Sequence, residues 1–145
     1  MWLYLKSRPD SGFPFHTIFS KGSDSSNGPW CFLYYQSNLH YIYFRNNGTE
    51  LVTPVAHGMV ASTWYHLEIS SNGTTHRIRK NGVTLTTGAN AVVDTTKDLR
   101  IGSYQTSGGV AQHVGELRFE DFRWTAGVQR NASDFTPPTT KAVAY

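Results

Sequence analysis

One cysteine, six prolines, a small share of charged residues and no long apolar run bound what this 145-residue chain can be. Cys31 alone rules out an intrachain disulfide, and its neighbours Trp30, Phe32 and Leu33 predict a buried, inert thiol. Stability must therefore come from a core. A single domain of this length buries roughly two-thirds of its unfolded surface, which suffices without staples. Charged residues are 16% of the chain and the net charge is +3, with Lys and Arg scattered, so no nucleic-acid surface is expected. The densest basic group, Arg77, Arg79 and Lys80, reads as a solvated strand face. No apolar stretch approaches the ~18 to 20 residues of a membrane helix, so no membrane insertion is expected. The start, Met1-Trp-Leu-Tyr-Leu-Lys6, has none of the basic, apolar and small-residue regions of a signal peptide, which predicts synthesis in a cytoplasm and retention there unless something carries the chain out. On that reading, the glycosylation-like triplets at Asn47, Asn72 and Asn131 are turn residues.

Helix signals are scarce too. Gly, Pro, Ser, Asn and Thr punctuate the chain at intervals of about eight to twelve residues, the spacing of an all-β sandwich or barrel. The alternation predicts strands over 2–6, 15–20, 29–36, 39–45, 50–56, 63–70, 75–80, 83–87, 99–102 and 114–124. Asn81-Gly82 between two short runs predicts a two-residue hairpin, because a type I′ turn needs positive φ at both positions. Residues 103–109 read as loop. No repeat, linker or low-complexity tract is visible, so one domain is expected over 1–136. Pro137-Pro138 cannot continue a central strand, and 137–145 is expected to run as an extended tail over the surface or onto a neighbour.

Four segments carry a family resemblance: Trp64-Tyr-His66 opening a strand, the Asn81-Gly82 turn, Leu99-Arg-Ile-Gly102, and Asp121-Phe-Arg123 following the alternating Glu116–Glu120. In this order the chain resembles the laminin-G-like group of the concanavalin A-like lectins and glucanases over nearly its whole length. The resemblance implies a two-sheet antiparallel β-sandwich of the jelly-roll, concanavalin A-like type. Gly127-Val-Gln-Arg130 and Phe135-Thr-Pro-Pro138 are most similar to a subgroup found in phage tail and other virion-associated proteins. Three departures stand out. The family has an extra strand before the Trp-containing one, so a start at Met1-Trp2 predicts an open sheet edge that invites pairing. Lys80 stands at an inward position beside His76 and Ile78, and must snorkel, pair or face a partner. Leu117 replaces a family glycine, with Gly115 earlier, so the strand path there is expected to differ.

Catalytic chemistry is poorly supplied. The nearest match to a glucanase pair is Glu116 and Glu120, but Arg118 stands where the family's middle carboxylate belongs. Retaining hydrolysis needs carboxyls ~5 to 5.5 Å apart with one kept protonated, and an adjacent guanidinium favours both staying ionised. No Gly-x-Ser-x-Gly elbow is present, and His16, His40, His57, His66, His76 and His113 share no ligand spacing, which argues against zinc. The resemblance raises calcium, for which Asp24, Asp94, Asp98 and Asp121 are candidates, but they form no dense cluster and no cofactor is expected.

Aromatic residues are abundant, with four Trp, eight Tyr and eight Phe, and they concentrate between Trp30 and Phe44. Both faces of 30–35 and of 39–44 are apolar, so the outer face is either covered or offers tyrosines to a ligand. Trp30, Tyr34, Tyr41, Tyr43 and Tyr104 are the candidate ligand-binding residues; Trp2, Lys80, Pro137 and Pro138 are the candidate interface residues. Taken with the resemblance, these features predict a non-catalytic lectin-like module of a virion, a phage capsid decoration or tail-fibre component that mediates assembly or host-surface attachment. Its partners would be other virion proteins, its own copies, or cell-surface glycans. The alternatives are a free carbohydrate-binding module and, less favoured by the residues, a glucanase-like enzyme.

Overall fold

The computed structural model describes residues 1–11, 14–22, 28–46, 48–92, 96, 98–105, 111–113, 115–125 and 129–139. No helix occurs among them. The strands are β1 (Trp2–Leu5), β2 (Phe15–Lys21), β3 (Pro29–Gln36), β4 (Leu39–Asn46), β5 (Thr49–Glu50), β6 (Val55–Ala56), β7 (Thr63–Ser71), β8 (His76–Lys80), β9 (Val83–Gly88), β10 (Leu99–Ile101), β11 (Ser103–Gln105), β12 (Ala111–His113) and β13 (Leu117–Glu120). All pair antiparallel. One sheet runs β13-β1-β7-β8-β9; the other runs β10-β2-β3-β4-β5, with β6 also on β4; β11 and β12 make a separate ribbon.

The two larger sheets form a β-sandwich because each contributes one apolar face to a shared core. Leu3, Leu5, Tyr65, Leu67 and Ile78 from the first meet Ile18, Phe19, Cys31, Leu33, Ile42 and Phe44 from the second. Period-two alternation delivers most of these residues inward. Ile18 is the exception. Thr17 pairs with Phe32 and Phe19 with Cys31, so Ile18 is the extra residue of a bulge that lets two consecutive side chains enter the core. Cys31 is fully buried, and burial pushes its thiol well above the ordinary range.

Turn chemistry follows the residues. Asn81 and Gly82 both take positive φ between Lys80 and Val83, as the hairpin requires. Ser37 and Asn38 do the same between β3 and β4. Asn72 Oδ1 accepts the amides of Thr74 and Thr75, a local turn built by the side chain. The run expected to be one strand over 50–56 divides instead. Leu51 and Val52 both turn into the core, which ends the alternation between β5 and β6. The single strand expected over 114–124 shortens to β13, and the loop expected at 103–109 contains β11.

One expectation about a sheet edge needs correction. β1, which carries Trp2, is not at an edge: β13 lies on one side and β7 on the other. Among the described residues the open edges of that sheet are β13 and β9. The chain after β13 also folds back. Residues 129–139 form a strap across the outer face of β7 to β9, where the Phe135 amide donates to the Gly82 carbonyl at 3.0 Å. Asp134 accepts from the amide and hydroxyl of Thr84, and Asn131 donates to Glu68.

Candidate functional site

The outer face of the second sheet is where the sequence's surplus aromatics meet. Cross-strand register builds three rows: Phe15, Tyr34 and Tyr41; Thr17, Phe32 and Tyr43; Ser20, Trp30 and Arg45, extended by Glu50. Trp30 stacks on Phe32 with centroids 4.1 Å apart, and Phe32 stacks on Tyr43 at 5.1 Å with planes within 5°. Gly102, at φ 68, turns the chain from β10 over this face, with its amide on the Ile18 carbonyl and Ser20 Oγ on the Ser103 carbonyl. That turn lays Tyr104 across Trp30 at 5.0 Å and beside Phe15 at 5.6 Å.

The outer face is therefore partly covered and partly open. Trp30, Phe32, Tyr43 and Tyr104 are buried, whereas Phe15, Tyr34 and Tyr41 keep part of their rings exposed. A cleft of about 320 Å³ remains, lined by Phe15, Trp30, Phe32, Tyr34, Gln36, Tyr43 and Arg45. Its floor is Phe32, Tyr43 and Trp30, and its polar rim is Gln36 and Arg45. The Tyr43 hydroxyl donates to Gln36 Oε1 at 3.3 Å. Arg45 sits 5.0 Å over the Tyr43 ring and donates through Nη2 to Glu50 Oε1 at 3.0 Å; its Nε is buried with no hydrogen-bond acceptor among the described residues. Burial first, and the Glu50 carboxylate next, push the Tyr43 phenol above its ordinary range, so it stays a neutral donor.

All five predicted ligand-binding residues fall in this one cluster, in different roles. Trp30 and Tyr43 form the floor, Tyr34 lines the wall, Tyr41 flanks Tyr43 at 6.2 Å, and Tyr104 is a cover rather than a lining residue. Sequence reasoning missed Phe15, Phe32, Gln36 and Arg45. The signal was available in part: pairing 29–36 against 39–46 through the Ser37-Asn38 turn places Arg45 opposite Trp30.

The predicted interface residues scatter and are engaged within the chain. The Trp2 indole packs edge-on against His66 at 5.2 Å. Lys80 Nζ donates to the His57 carbonyl at 2.7 Å and lies 5.7 Å over the Tyr65 ring, so it pairs inside its own fold. Pro137 rests against the Gly82 turn, and Pro138 borders a groove beside β7. Residues 140–145 of the expected tail lie outside the described residues. Arg79, expected on a solvated face, is fully buried under the strap, donating through Nη1 to Glu68 at 2.7 Å and to Ser70 at 3.1 Å, with Asp134 3.7 Å from Nε.

The groove beside β7 is larger, about 1020 Å³, yet several of its charged groups are held within the fold. Arg123 binds Asp121 at 2.8 Å, Glu68 is held by Arg79 and Asn131, and the Met1 ammonium donates to the Leu67 carbonyl at 3.3 Å. The aromatic cleft, by contrast, offers the part-exposed rings of Phe15 and Tyr34 beside the Gln36 and Arg45 rim.

Glu116 and Glu120 lie on the other sheet, away from the cleft. Lys6 binds Glu116 at 2.9 Å, and that hydrogen bond holds the carboxyl below its ordinary range, the opposite of what a general acid needs. Of the calcium candidates, Asp98 stands 3.9 Å from Arg100 and Asp121 pairs with Arg123; Asp24 and Asp94 lie outside the described residues. No cluster of His, Cys, Asp or Glu suited to a metal occurs among the described residues. No protein-family model, curated protein or solved structure matches the chain.

Proposed function

We propose that this chain is a non-catalytic, lectin-like binding module whose aromatic cleft holds a carbohydrate. One observation carries the reading: a β-sheet face that would otherwise be solvent-exposed is faced with seven aromatic rings and keeps an open cleft with a hydrogen-bonding rim. Sugar rings have one apolar face and a polar edge. A wall of Tyr and Phe rings with Gln36 and Arg45 at the margin answers both, and about 320 Å³ lies at the small end of ligand pockets. The concanavalin A-like, jelly-roll type of sandwich and the laminin-G-like kinship belong to this proposal and rest on the sequence motifs. So does the setting in a virion, where such a cleft would serve attachment to host-surface glycans.

A glycan array on the purified chain tests the reading. Binding that disappears in Tyr34→Ala, with the fold intact by circular dichroism, supports it; an array without hits overturns it.

One observation favours a second reading, a structural role through self-association. β13 ends its sheet among the described residues, and the Glu116 carbonyl is turned toward β1 by its bond from the Lys6 amide at 2.9 Å. Alternation then aims the backbone groups of Leu117 and Phe119 at the open side, where another strand can add. Light scattering coupled to size-exclusion chromatography decides it: a monomer across the micromolar range removes this reading.

A further inference from the structure

We infer that the cleft selects neutral sugars over acidic ones, and that the Arg45–Glu50 pair is the selecting element. This rests on the carbohydrate reading of the cleft. A guanidinium at the rim of a sugar site is the expected hook for a uronate or sialate carboxylate, because it offers a forked pair of donors. Here the hook is already taken. Glu50 stands directly opposite Arg45 in the β4–β5 register and accepts from Nη2 at 3.0 Å; both side chains are part-exposed, and Arg45, which lines the cleft, carries Glu50 beside it.

Two consequences follow for an incoming ligand. A carboxylate close enough to gain from Arg45 also meets the Glu50 charge, so attraction and repulsion offset each other. A carboxylate, moreover, has only acceptor oxygens and can do nothing for Glu50, whereas a sugar hydroxyl both accepts and donates. A hydroxyl can accept from Arg45 while donating to Glu50, and a neighbouring one can use the Gln36 amide, whose oxygen already holds the Tyr43 hydroxyl. The third polar group, the Tyr43 phenol, is neutral and adds no charge. The rim is thus a balanced set of donors and acceptors beside the part-exposed Phe15 and Tyr34 rings, complementary to a neutral hexopyranose.

The test compares two probes, mannohexaose or cellohexaose against hexagalacturonate, by quenching of Trp fluorescence in wild type and in Glu50→Gln. Glutamine keeps the shape and an acceptor for Arg45 while removing the charge. The expected result is that wild type binds a neutral hexaose, with affinity unchanged by added NaCl, and rejects hexagalacturonate. In Glu50→Gln the neutral-to-acidic preference should then fall about tenfold, and the acidic binding gained should weaken with salt. Tighter binding of hexagalacturonate by wild type would overturn the inference and leave the carbohydrate reading standing. An unchanged preference in Glu50→Gln would overturn the role given to the pair. Binding of no saccharide, neutral or acidic, would overturn the carbohydrate reading itself and this inference with it. A thermal midpoint within a few degrees of wild type checks that the variant is folded.

Discussion

Acid should unfold this protein through His57, and the magnitude can be worked from its surroundings. The side chain is wholly buried; its Nδ1 accepts the Met59 amide at 2.9 Å, which places the proton on Nε2, where no acceptor is found among the described residues. Burial chiefly, then the nearby His40, Lys80, Arg8 and His16, push its pKa from 6.5 down to about 3. The groups that act on its charge, His40, Lys80, Arg8 and His16, are all cationic when protonated, so none of them rewards a charge there. The sign follows from linkage. The unfolded chain takes up the proton near pH 6.5 and the folded chain only near pH 3, so stability is full above 6.5 and falls as pH drops between these values. Each pH unit in that window costs about 1.4 kcal/mol, or about 3 kcal/mol by pH 4.5. Urea unfolding across pH 8 to 4 measures this slope. His16, His40 and His66 are also shifted downward, mainly by burial, and add to it in the same direction. The informative comparison is therefore His57→Asn, which keeps an acceptor for the Met59 amide and cannot titrate. Its stability at pH 8 should be lower, and its acid slope shallower by about one proton, 1.4 kcal/mol per pH unit. Equal slopes in the two proteins would refute the assignment to His57.

The strap supplies a second set of tests. Glu68→Ala removes the close partner of a fully buried guanidinium and should cost about 3 kcal/mol by urea unfolding, whereas Glu68→Ala combined with Arg79→Met should recover much of that loss. A Cβ at Gly82 would overlap the Phe135 carbonyl at a positive φ, so Gly82→Ala should destabilise by about 2 kcal/mol and open residues 129–139 to limited proteolysis. Gly88→Ala should be similarly disruptive, since its Cβ would meet the Leu51 carbonyl. Tyr34→Ala should weaken saccharide binding more than tenfold, read by fluorescence titration, with little effect on the thermal midpoint because that ring is half-exposed.

The fold was legible wherever local rules and burial agree. The span of β3, that of β4 to within one residue, and the Asn81-Gly82 turn follow from the strand pattern and turn chemistry alone. Legibility failed where a distant segment reassigns a face. Arg79 sits on an outward strand position between residues of both characters, and nothing within ten residues of it announces a cover. The cover comes from Asn131, Asp134 and Phe135, some fifty residues later, and only together with Glu68 does it make burial of a cation tolerable. The splitting of 50–56 failed for a related reason: Leu51 and Val52 are both apolar, which any strand pattern accepts, and only the close approach of Gly88 to Leu51 shows that the chain turns there.

The site divides along the same line. An aromatic excess in 30–44 was visible as composition, and an excess on both faces of a strand is physically a statement that the second face is not left to water. What occupies the second face is a question of register. A shift of one residue between β3 and β4 would turn one strand over against the other: with β3 kept in place, Tyr43 would enter the core and Ile42 and Phe44 would face outward. The two-residue Ser37-Asn38 turn forbids that shift. The same turn sets Arg45 against Trp30 and, through β5, against Glu50. The place of Arg45 on the cleft rim is thus decided at the far end of its strand, by two residues able to hold positive φ. Lengthening that turn by one residue should abolish saccharide binding before it abolishes the sandwich, because the inner face of β3 has other apolar residues to offer and the rim has only one Arg45.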